Sequence, residues 1–380
     1  MKRIAVLVSN DLVHDQRVRK TCDVLLSLGL EITLIGRLLP NSEPIQRTYE
    51  TYRFENLRYT RGARFYAEFN WKLYRYLMQH RQRFDAVWAN DLDTLWPAFR
   101  LAKSRNIPIF YDSHEYFTEA AGLTGRPFPK AVWLAIENAI FPKLRFVFTV
   151  NDTIADIYRT KYKVEVNVVR NVPVFQPIEQ RMSRAELGLP DGPLVILQGA
   201  FMDKDRGVIE AVQAMVHLPD VHLLLVGAGE EWEAAGVLRE QLGLQRQITI
   251  RPKQAFDTLR QLTASADAGL TLDKAVHFNY LFSLPNKLFD YIHAGIPVVA
   301  SPLPEVQKVV NEQGIGTVIK DWEPEHIAHA IRSVLEQPKA SYEAALSKAA
   351  LQFQWAHEAA VIKQKIREAG LISEDSSTGT

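Results

Sequence analysis

The stretch "HFNYLFSLPNKLFDYIHAGIPVVAS", residues 277–301, predicts a helix that leads into a buried strand. Pro285 suits the first helical turn because its missing N–H would have no partner there. Ser283 is a candidate N-cap, and Gly295 fits the end of the helix. The run "PVVAS" that follows is apolar enough to be covered on both faces, as strands of a parallel sheet are. This stretch therefore predicts an α/β unit.

The same alternation of strand-like and helical patterns extends along the whole chain. The strand-like runs are "RIAVLVS", "EITLIG", "AVWAN", "PIFYDS" and "FVFTV" in the first half, and "LVILQG", "VHLLLVG", "QITIRP", "AGLTL" and "PVVAS" in the second. Strands that alternate with helices predict two doubly wound α/β domains.

The segment "RNVPVFQPIEQ", residues 170–180, has two prolines and few helix formers, and it predicts a linker between the domains. We expect a first domain over 1–172 and a second over 173–353. A last helix is predicted at about 354–370, followed by a polar, disordered tail over 371–380.

Composition places the chain among globular proteins. Of its 380 residues, 47% are hydrophobic and 23% are charged, and Cys22 is the single cysteine. One cysteine excludes an intramolecular disulfide and a cysteine-based zinc site, and it fits a reducing cytoplasm. The apolar run Ile4–Val8 is too short for a signal peptide. No stretch reaches the roughly 18 apolar residues that a membrane span needs.

Charge is divided unevenly between the halves. Residues 1–175 carry 26 Lys and Arg against 18 Asp and Glu, and residues 176–380 carry 19 against 26. A split of this kind concerns binding partners more than the fold, and it predicts that the first half meets something anionic.

Ligands of open α/β sheets bind at the carboxyl ends of the strands. Asn286 and Lys287 begin the helix of the opening stretch, where free N–H groups and the helix dipole favour an anion. Asp290 lies one turn further on, within reach of sugar hydroxyls. An anion site beside such a carboxylate is typical of a nucleotide site, although an ordinary capped helix also fits these residues.

Two other turns of the second half follow strands. After Gly199, the loop offers Lys204 and Arg206 to a diphosphate, or is a solvated loop. Gly227 and Gly229 allow close approach of the backbone to a ligand. The third glycine of the dinucleotide fingerprint is missing, so the turn is weak support for NAD.

In the first half, three strand-like runs are each followed by a polar cluster. The clusters are His14, Asp15 and Arg17; Asp91 and Asp93; and Asp112, His114 and Glu115. Their spacings match no fixed set of metal ligands, so we predict no metal site. A histidine among carboxylates after a buried strand favours a functional site.

The segments "HDQRVRK", "NDLDTL", "YDSHEYF" and "LPNKLFDYIHAGIPVVAS" resemble GT-B fold glycosyltransferases of family 4, a retaining group that uses nucleotide sugars. The likeness runs from Met1 to about Gly370. It implies two Rossmann-like domains that face each other across a cleft, with the donor bound by the second and the acceptor by the first. It also implies that the last helix crosses back to the first domain.

The resemblance also assigns individual residues. Of the family's Glu-x7-Glu pair, the second falls on Asp290, which would bind ribose, and the first falls on Phe282, which cannot hold a sugar hydroxyl. The family's basic pair falls on Ala200 and Arg206. The histidine that contacts the transferring sugar falls on His114.

The resemblance implies a retaining, metal-independent transfer of a sugar from a nucleoside diphosphate to a glycan or lipid-linked acceptor, with no cofactor, in surface polysaccharide or glycoconjugate synthesis. The predicted catalytic residues are His114, Arg206 and Lys287. The predicted donor-binding residues are Gly199, Lys204, Gly227, Lys253, Ser283, Asn286 and Asp290. The predicted acceptor-binding residues are Asp15, Arg17, Asp91, Asp93 and Glu115. Lys204, Lys253 and Lys287 are the candidates for the second positive charge. A nucleotide-sugar 2-epimerase and an inactive transferase-like binding domain remain alternatives.

Aromatic and basic residues alternate over 52–83, and residues 64–83 predict an amphipathic helix. Such a helix fits peripheral contact with the anionic inner face of a membrane. The alternative is a helix whose aromatic face packs on the first sheet.

Overall fold

A computed structural model of the protein describes residues 1–13, 15–200 and 202–372. His14 and the predicted tail from residue 373 onward lie outside these ranges.

The chain divides into two compact units. Unit 1 contains Met1–Asn171 and Ala356–Thr380, and unit 2 contains Val172–Trp355. The break after Asn171 falls inside the predicted linker.

Unit 1 is built on a parallel sheet covered by helices. Its strands are β1 (Arg3–Leu7), β2 (Glu31–Arg37), β3 (Glu50–Phe54), β4 (Ala86–Asn90), β5 (Ile109–Ser113), β6 (Phe146–Thr149) and β7 (Asn167–Val168). Their order in the sheet is β3-β2-β1-β4-β5-β6-β7. The first five helices are α1 (Gln16–Ser27), α2 (Gly62–Gln79), α3 (Leu92–Arg105), α4 (Pro127–Ile140) and α5 (Asp152–Tyr162).

Unit 2 repeats the plan with a second parallel sheet. Its strands are β8 (Leu194–Gly199), β9 (His222–Gly227), β10 (Ile248–Pro252), β11 (Ala268–Thr271), β12 (Val298–Ala300) and β13 (Gly316–Val318), in the order β10-β9-β8-β11-β12-β13. Its helices are α6 (Val208–Ala214), α7 (Glu231–Gln241), α8 (Phe256–Ser265), α9 (Phe278–Leu281), α10 (Asn286–Ala294), α11 (Pro304–Gln313), α12 (Pro324–Leu335) and α13 (Ala340–Gln352). The predicted α/β class, with two doubly wound sheets, is confirmed.

The last helix, α14 (Trp355–Glu368), packs with unit 1. The carboxylate of Glu358 accepts the backbone N–H of Arg170 at 2.7 Å, and the Lys365 ammonium contacts Glu165 at 2.7 Å. These contacts fasten the C-terminal helix beside the end of the unit 1 sheet.

Helix α2 is amphipathic, and its apolar face packs inside unit 1. Phe65, Phe69, Leu73 and Leu77 are buried, as in the alternative interpretation of this segment, whereas Trp71 is 56% exposed. No helix within the described ranges combines the length and apolar character needed to cross a bilayer.

Candidate functional site

Unit 2 contains a cavity of about 300 Å³ at the carboxyl ends of β8 and β11 and the start of α10. The predicted residues that line it are Gly199, Arg206, Asn286 and Lys287. Lining residues that were not predicted are Leu197, Gln198, Ala200, Met202, Val208, Asp273, Leu284 and Pro285. A mixed apolar and cationic lining of this kind suits a ligand with an apolar part and an anionic part.

The predicted cations Arg206 and Lys287 share one buried carboxylate. Asp273, 1% exposed, contacts Arg206 Nη1 at 2.9 Å through Oδ1 and Lys287 Nζ at 3.0 Å through Oδ2. Burial alone would raise the pKa of Asp273, but the charges of Lys287 and Arg206 outweigh it and lower the pKa. The Asp273 carboxylate is therefore ionised between Arg206 and Lys287.

Arg206 is also held from its other side. Its guanidinium lies 4.4 Å from the centre of the Tyr280 ring, and Nη2 donates to the Tyr280 hydroxyl at 3.3 Å. Burial lowers the pKa of Arg206, but Asp273 raises it further, so the net shift is upward. Arg206 stays charged under all ordinary conditions, as a binding group for phosphate must.

Helix α10 begins at Asn286, and its N-cap differs from the prediction. Pro285 is the N-cap residue, with no side-chain hydrogen bond. Ser283 instead donates its hydroxyl to the carbonyl of Tyr280 at 2.9 Å, so the predicted N-cap role of Ser283 is wrong. Pro285 provides no side-chain cap, and the N-terminal end of a helix favours an anion.

Asp290 lies one turn into α10 and does not line the cavity. Its carboxylate accepts a hydrogen bond from the Gln198 side-chain amide at 3.2 Å. Gln198 itself lines the cavity and accepts from Thr263 Oγ1 at 2.6 Å. The predicted ribose contact of Asp290 stays a prediction, and Gln198 is the group that links it to the cavity.

The other predicted donor residues do not line the cavity. Lys204 and Lys253 are exposed on their loops. Gly227 is required by the protein itself, because a Cβ there would lie 2.0 Å from the carbonyl oxygen of Gly199. The close backbone approach expected at Gly227 is therefore an approach to strand β8. Of the three candidate lysines, Lys287 is the one that lines the cavity together with Arg206.

Unit 1 carries a second polar cluster, centred on His114. Its Nε2 lies 3.2 Å from Asn90 Oδ1 and 3.5 Å from Asp112 Oδ2, and its Nδ1 lies 3.4 Å from Asp91 Oδ2. Burial would lower the pKa of His114, but the charges of Asp91 and Asp112 outweigh it and raise the pKa to about 9. The ring is thus an imidazolium at neutral pH, and it is 20% exposed.

Arg17 has a structural role, and its predicted acceptor contact stays a prediction. The guanidinium donates to Asp112 through Nε at 3.0 Å and Nη2 at 2.6 Å, and to the carbonyl of Val169 through Nη1 at 2.6 Å. Arg17 is only 3% exposed, so its guanidinium is directed at the protein. Although burial raises the pKa of Asp112, Arg17 and His114 lower it overall, so Asp112 is a fixed anion beneath His114.

Asp91 is held in a backbone conformation that residues with a side chain rarely adopt, with φ of 57°. The conformation directs Asp91 Oδ1 to the backbone N–H of His114 at 2.8 Å. Strain of this kind is often kept at functional sites. Burial, only partly offset by His114, raises the pKa of Asp91.

Asp93 and Asp15 make hydrogen bonds inside unit 1. Asp93 is 4% exposed and accepts the Ser9 hydroxyl at 2.5 Å, and burial together with Asp91 raises its pKa to about 7. Asp15 caps α1 by accepting the N–H of Val18 at 3.0 Å, and its other oxygen accepts from Asn10. The predicted acceptor contacts of Asp93 and Asp15 stay predictions. Glu115 is partly exposed beside His114, and its predicted contact stays a prediction.

Two family profiles match the chain. Residues 15–174 match the glycosyl transferase 4-like domain, and residues 179–353 match the glycosyl transferases group 1. Among curated proteins, D-inositol 3-phosphate glycosyltransferase of Mycobacterium avium (strain 104) is 26% identical over 209 residues, covering 52% of this chain and 47% of that protein. The chain thus spans about half the length of the curated relatives it matches.

Solved structures share the fold over nearly the whole chain. Sucrose-phosphate synthase from Thermosynechococcus elongatus has a TM-score of 0.78 at 18% identity, covering 98% of this chain and 100% of that chain. HepE from Anabaena in complex with UDP has a TM-score of 0.73 at 14% identity, covering 97% and 100%. With both profiles matched and this architecture shared, the protein belongs to the group 1 glycosyltransferases of family 4, which have the GT-B fold.

Proposed function

We propose that the protein is a retaining glycosyltransferase that moves a sugar from a nucleoside diphosphate to a glycan or a lipid-linked acceptor, in surface polysaccharide or glycoconjugate synthesis. The donor would bind to the cavity of unit 2, and the acceptor would bind to unit 1. The observation that carries the proposal is the pair Arg206 and Lys287, held on Asp273 beside the uncapped start of α10.

The chemistry follows from where charge develops. Cleavage of the bond between the sugar C1 and the diphosphate oxygen leaves the bonding electrons on the phosphate and positive charge on the sugar. Arg206, Lys287 and the helix N-terminus would stabilise the departing diphosphate as its charge grows. These groups supply positive charge without a metal ion, so we propose that the reaction needs none.

Retention of configuration would follow from attack on the same face of the sugar. The acceptor hydroxyl oxygen forms the new bond to C1, and its proton passes to the departing phosphate oxygen. His114, ionised and 20% exposed, would donate a hydrogen bond to a hydroxyl of the transferring sugar. The excess of Lys and Arg in residues 1–175 supports an acceptor that carries negative charge.

The first experiment is a melting-shift screen with UDP, GDP, ADP and their sugars. HepE has been solved with UDP, so UDP is the first nucleotide to test. A ligand at 100 times its Kd stabilises the native state by about 2.7 kcal/mol, which is easily detected. Stabilisation by none of these compounds would contradict the proposal. Turnover of a donor sugar to its epimer with no acceptor present would favour the 2-epimerase, and binding without turnover would favour an inactive domain.

We expect Asp290→Asn to weaken binding of the matching nucleoside diphosphate about tenfold, with the fold unchanged. A charge-assisted hydrogen bond to a ribose hydroxyl contributes about 1.5 kcal/mol or more. Titration calorimetry measures the affinity, and Asp220→Asn, which alters an exposed pair with Arg332, is the control. Equal affinity for wild type and Asp290→Asn would show that Asp290 does not contact the nucleotide.

We also propose that unit 1 contacts anionic lipid. The exposed face of α2 presents Trp71 between Arg64 and Arg75, all three exposed. Helix α4, whose Trp133 ring meets Tyr66 of α2 at 5.3 Å, adds Phe128, which is 79% exposed. Aromatic side chains among arginines suit the headgroup region of an anionic leaflet.

We expect the protein to sediment with vesicles that contain anionic lipid at low salt, and less at high salt, because each basic residue contributes about 1 kcal/mol that salt screens. Trp71→Ala should reduce the bound fraction. Phe256→Ala removes an aromatic ring of unit 2 that is 54% exposed, and it should change nothing. Equal partitioning with neutral and anionic vesicles at both salt concentrations would rule out this contact and favour a soluble acceptor.

A further inference from the structure

Asp273 stands out among the buried charges of unit 2, because it lines the cavity but is 1% exposed. We propose that Asp273 is a positioning residue that joins Arg206 and Lys287 into one diphosphate-binding unit, an inference that rests on the proposed function. Without its carboxylate, the two cations would repel each other and separate.

The Asp273 carboxylate is turned towards side chains of unit 2. Oδ1 accepts from Arg206, and Oδ2 accepts from the Lys287 ammonium at 3.0 Å and from the Thr271 hydroxyl at 3.2 Å. With these three contacts and an exposure of 1%, Asp273 is poorly placed to replace the sugar contact that Phe282 lacks. It acts on a ligand through the two cations.

The backbone around Asp273 is fixed to the loop that carries Arg206. The N–H of Lys274 donates to the carbonyl of Asp205 at 2.8 Å, and the Lys274 ammonium pairs with Glu210. Gly207 has φ of 74°, and a Cβ there would lie 2.3 Å from Leu272 Cβ. The segments on either side of the Arg206–Asp273 pair thus lie in close contact, which holds the pair in one geometry.

Asp273 also leaves enough donors for a diphosphate. A guanidinium has five N–H donors and an ammonium has three. Arg206 uses one donor on Asp273 and one on Tyr280, and its Nε is buried with no hydrogen-bond partner among the described residues. The cluster of one carboxylate and two cations keeps a net positive charge beside the N-terminus of α10, where an anion is favoured.

Two explanations of Asp273 predict opposite changes in diphosphate affinity when its charge is removed, which makes the inference testable. If Asp273 contributed only its negative charge, neutralising it would strengthen the binding of a diphosphate. If Asp273 positions the cations, neutralising it would weaken that binding, because Arg206 and Lys287 would lose the geometry that fits the ligand.

The experiment compares wild type with Asp273→Asn by calorimetry, using the diphosphate among UDP, GDP and ADP that stabilises wild type most, together with its nucleoside. We expect affinity for the diphosphate to fall about tenfold or more, while affinity for the nucleoside changes by less than about twofold. Adding Arg206→Gln should cost less diphosphate affinity in Asp273→Asn than in wild type, because coupled groups are not additive. Asp220→Asn is the control for loss of a paired carboxylate.

Asp273→Glu keeps the charge and moves it by one methylene, and it serves if Asp273→Asn does not fold. Positioning predicts several-fold weaker diphosphate binding for this variant as well. Unchanged or tighter diphosphate binding in the folded variant, or fully additive losses with Arg206→Gln, would overturn the inference. Failure of wild type to bind any of the three diphosphates would instead overturn the proposed function, so the two failures are distinguishable.

Discussion

Arg206→Ala is expected to lower the rate of sugar transfer by about 100- to 1000-fold, while binding of the nucleoside changes little. The guanidinium lies at the cavity, fixed between Asp273 at 2.9 Å and the Tyr280 ring. A charge held in place before the reaction stabilises the departing phosphate without reorganisation, and loss of one such group costs this much in rate.

The measurement is steady-state transfer with the donor found in the binding screen, together with nucleoside affinity by calorimetry. Arg332→Ala is the matched control, because Arg332 pairs with Asp220 at 2.6 Å on the surface of unit 2. Its turnover should remain that of wild type. Melting curves of both variants show whether the loss at Arg206 is one of chemistry or of folding. Retention of more than about a third of wild-type turnover by Arg206→Ala would refute its role.

The ten strand-like runs of the sequence are all strands in the structure. Nine of them lie in the interior of a parallel sheet, where strands are apolar on both faces, and β10 lies at an edge. The three strands that the sequence did not reveal are β3, β7 and β13, and each lies at an edge of its sheet. β3, "ETYRF", is largely open to solvent, and β7 and β13 have only two and three residues. Edge strands are partly polar and short, so their pattern is too weak to recognise.

The sequence predicts a site residue well when that residue directly follows a strand or begins a helix. The sequence places Arg206 and Lys287 after a strand and at a helix start, and both line the cavity. Asp273 escaped because "LDKA" resembles a solvated charge pair, and only the parallel order of β8 and β11 brings residues 206 and 273 together. For the same reason the sequence could not show that the Arg17 guanidinium is hydrogen-bonded to Asp112, which lies 95 residues further along the chain.

Replacing His114 by asparagine is expected to reduce kcat/KM at pH 7 by about 10- to 100-fold. A hydrogen bond from an ionised donor contributes about 1.5–3 kcal/mol. Nε2 of His114 lies between the buried Asn90 and Asp112, whereas Nδ1 is 3.4 Å from Asp91, longer than a good hydrogen bond. The Asp91 side chain is 23% exposed, so we expect Nδ1 to be the nitrogen that donates to a sugar hydroxyl.

The pH dependence of kcat/KM distinguishes hydrogen-bond donation by His114 from a role in packing alone. Because the folded pKa of His114 is about 9, wild-type kcat/KM should stay level from about pH 7 to 8 and fall as pH rises through about 9. A raised histidine pKa stabilises the folded state fully below the unfolded value of about 6.5, and that contribution is lost as pH rises through about 9. The melting temperature of wild type should therefore fall across this range more than that of His114→Asn. If kcat/KM falls at high pH with the same midpoint and by the same factor in both proteins, another group titrates and His114 does not donate to the sugar.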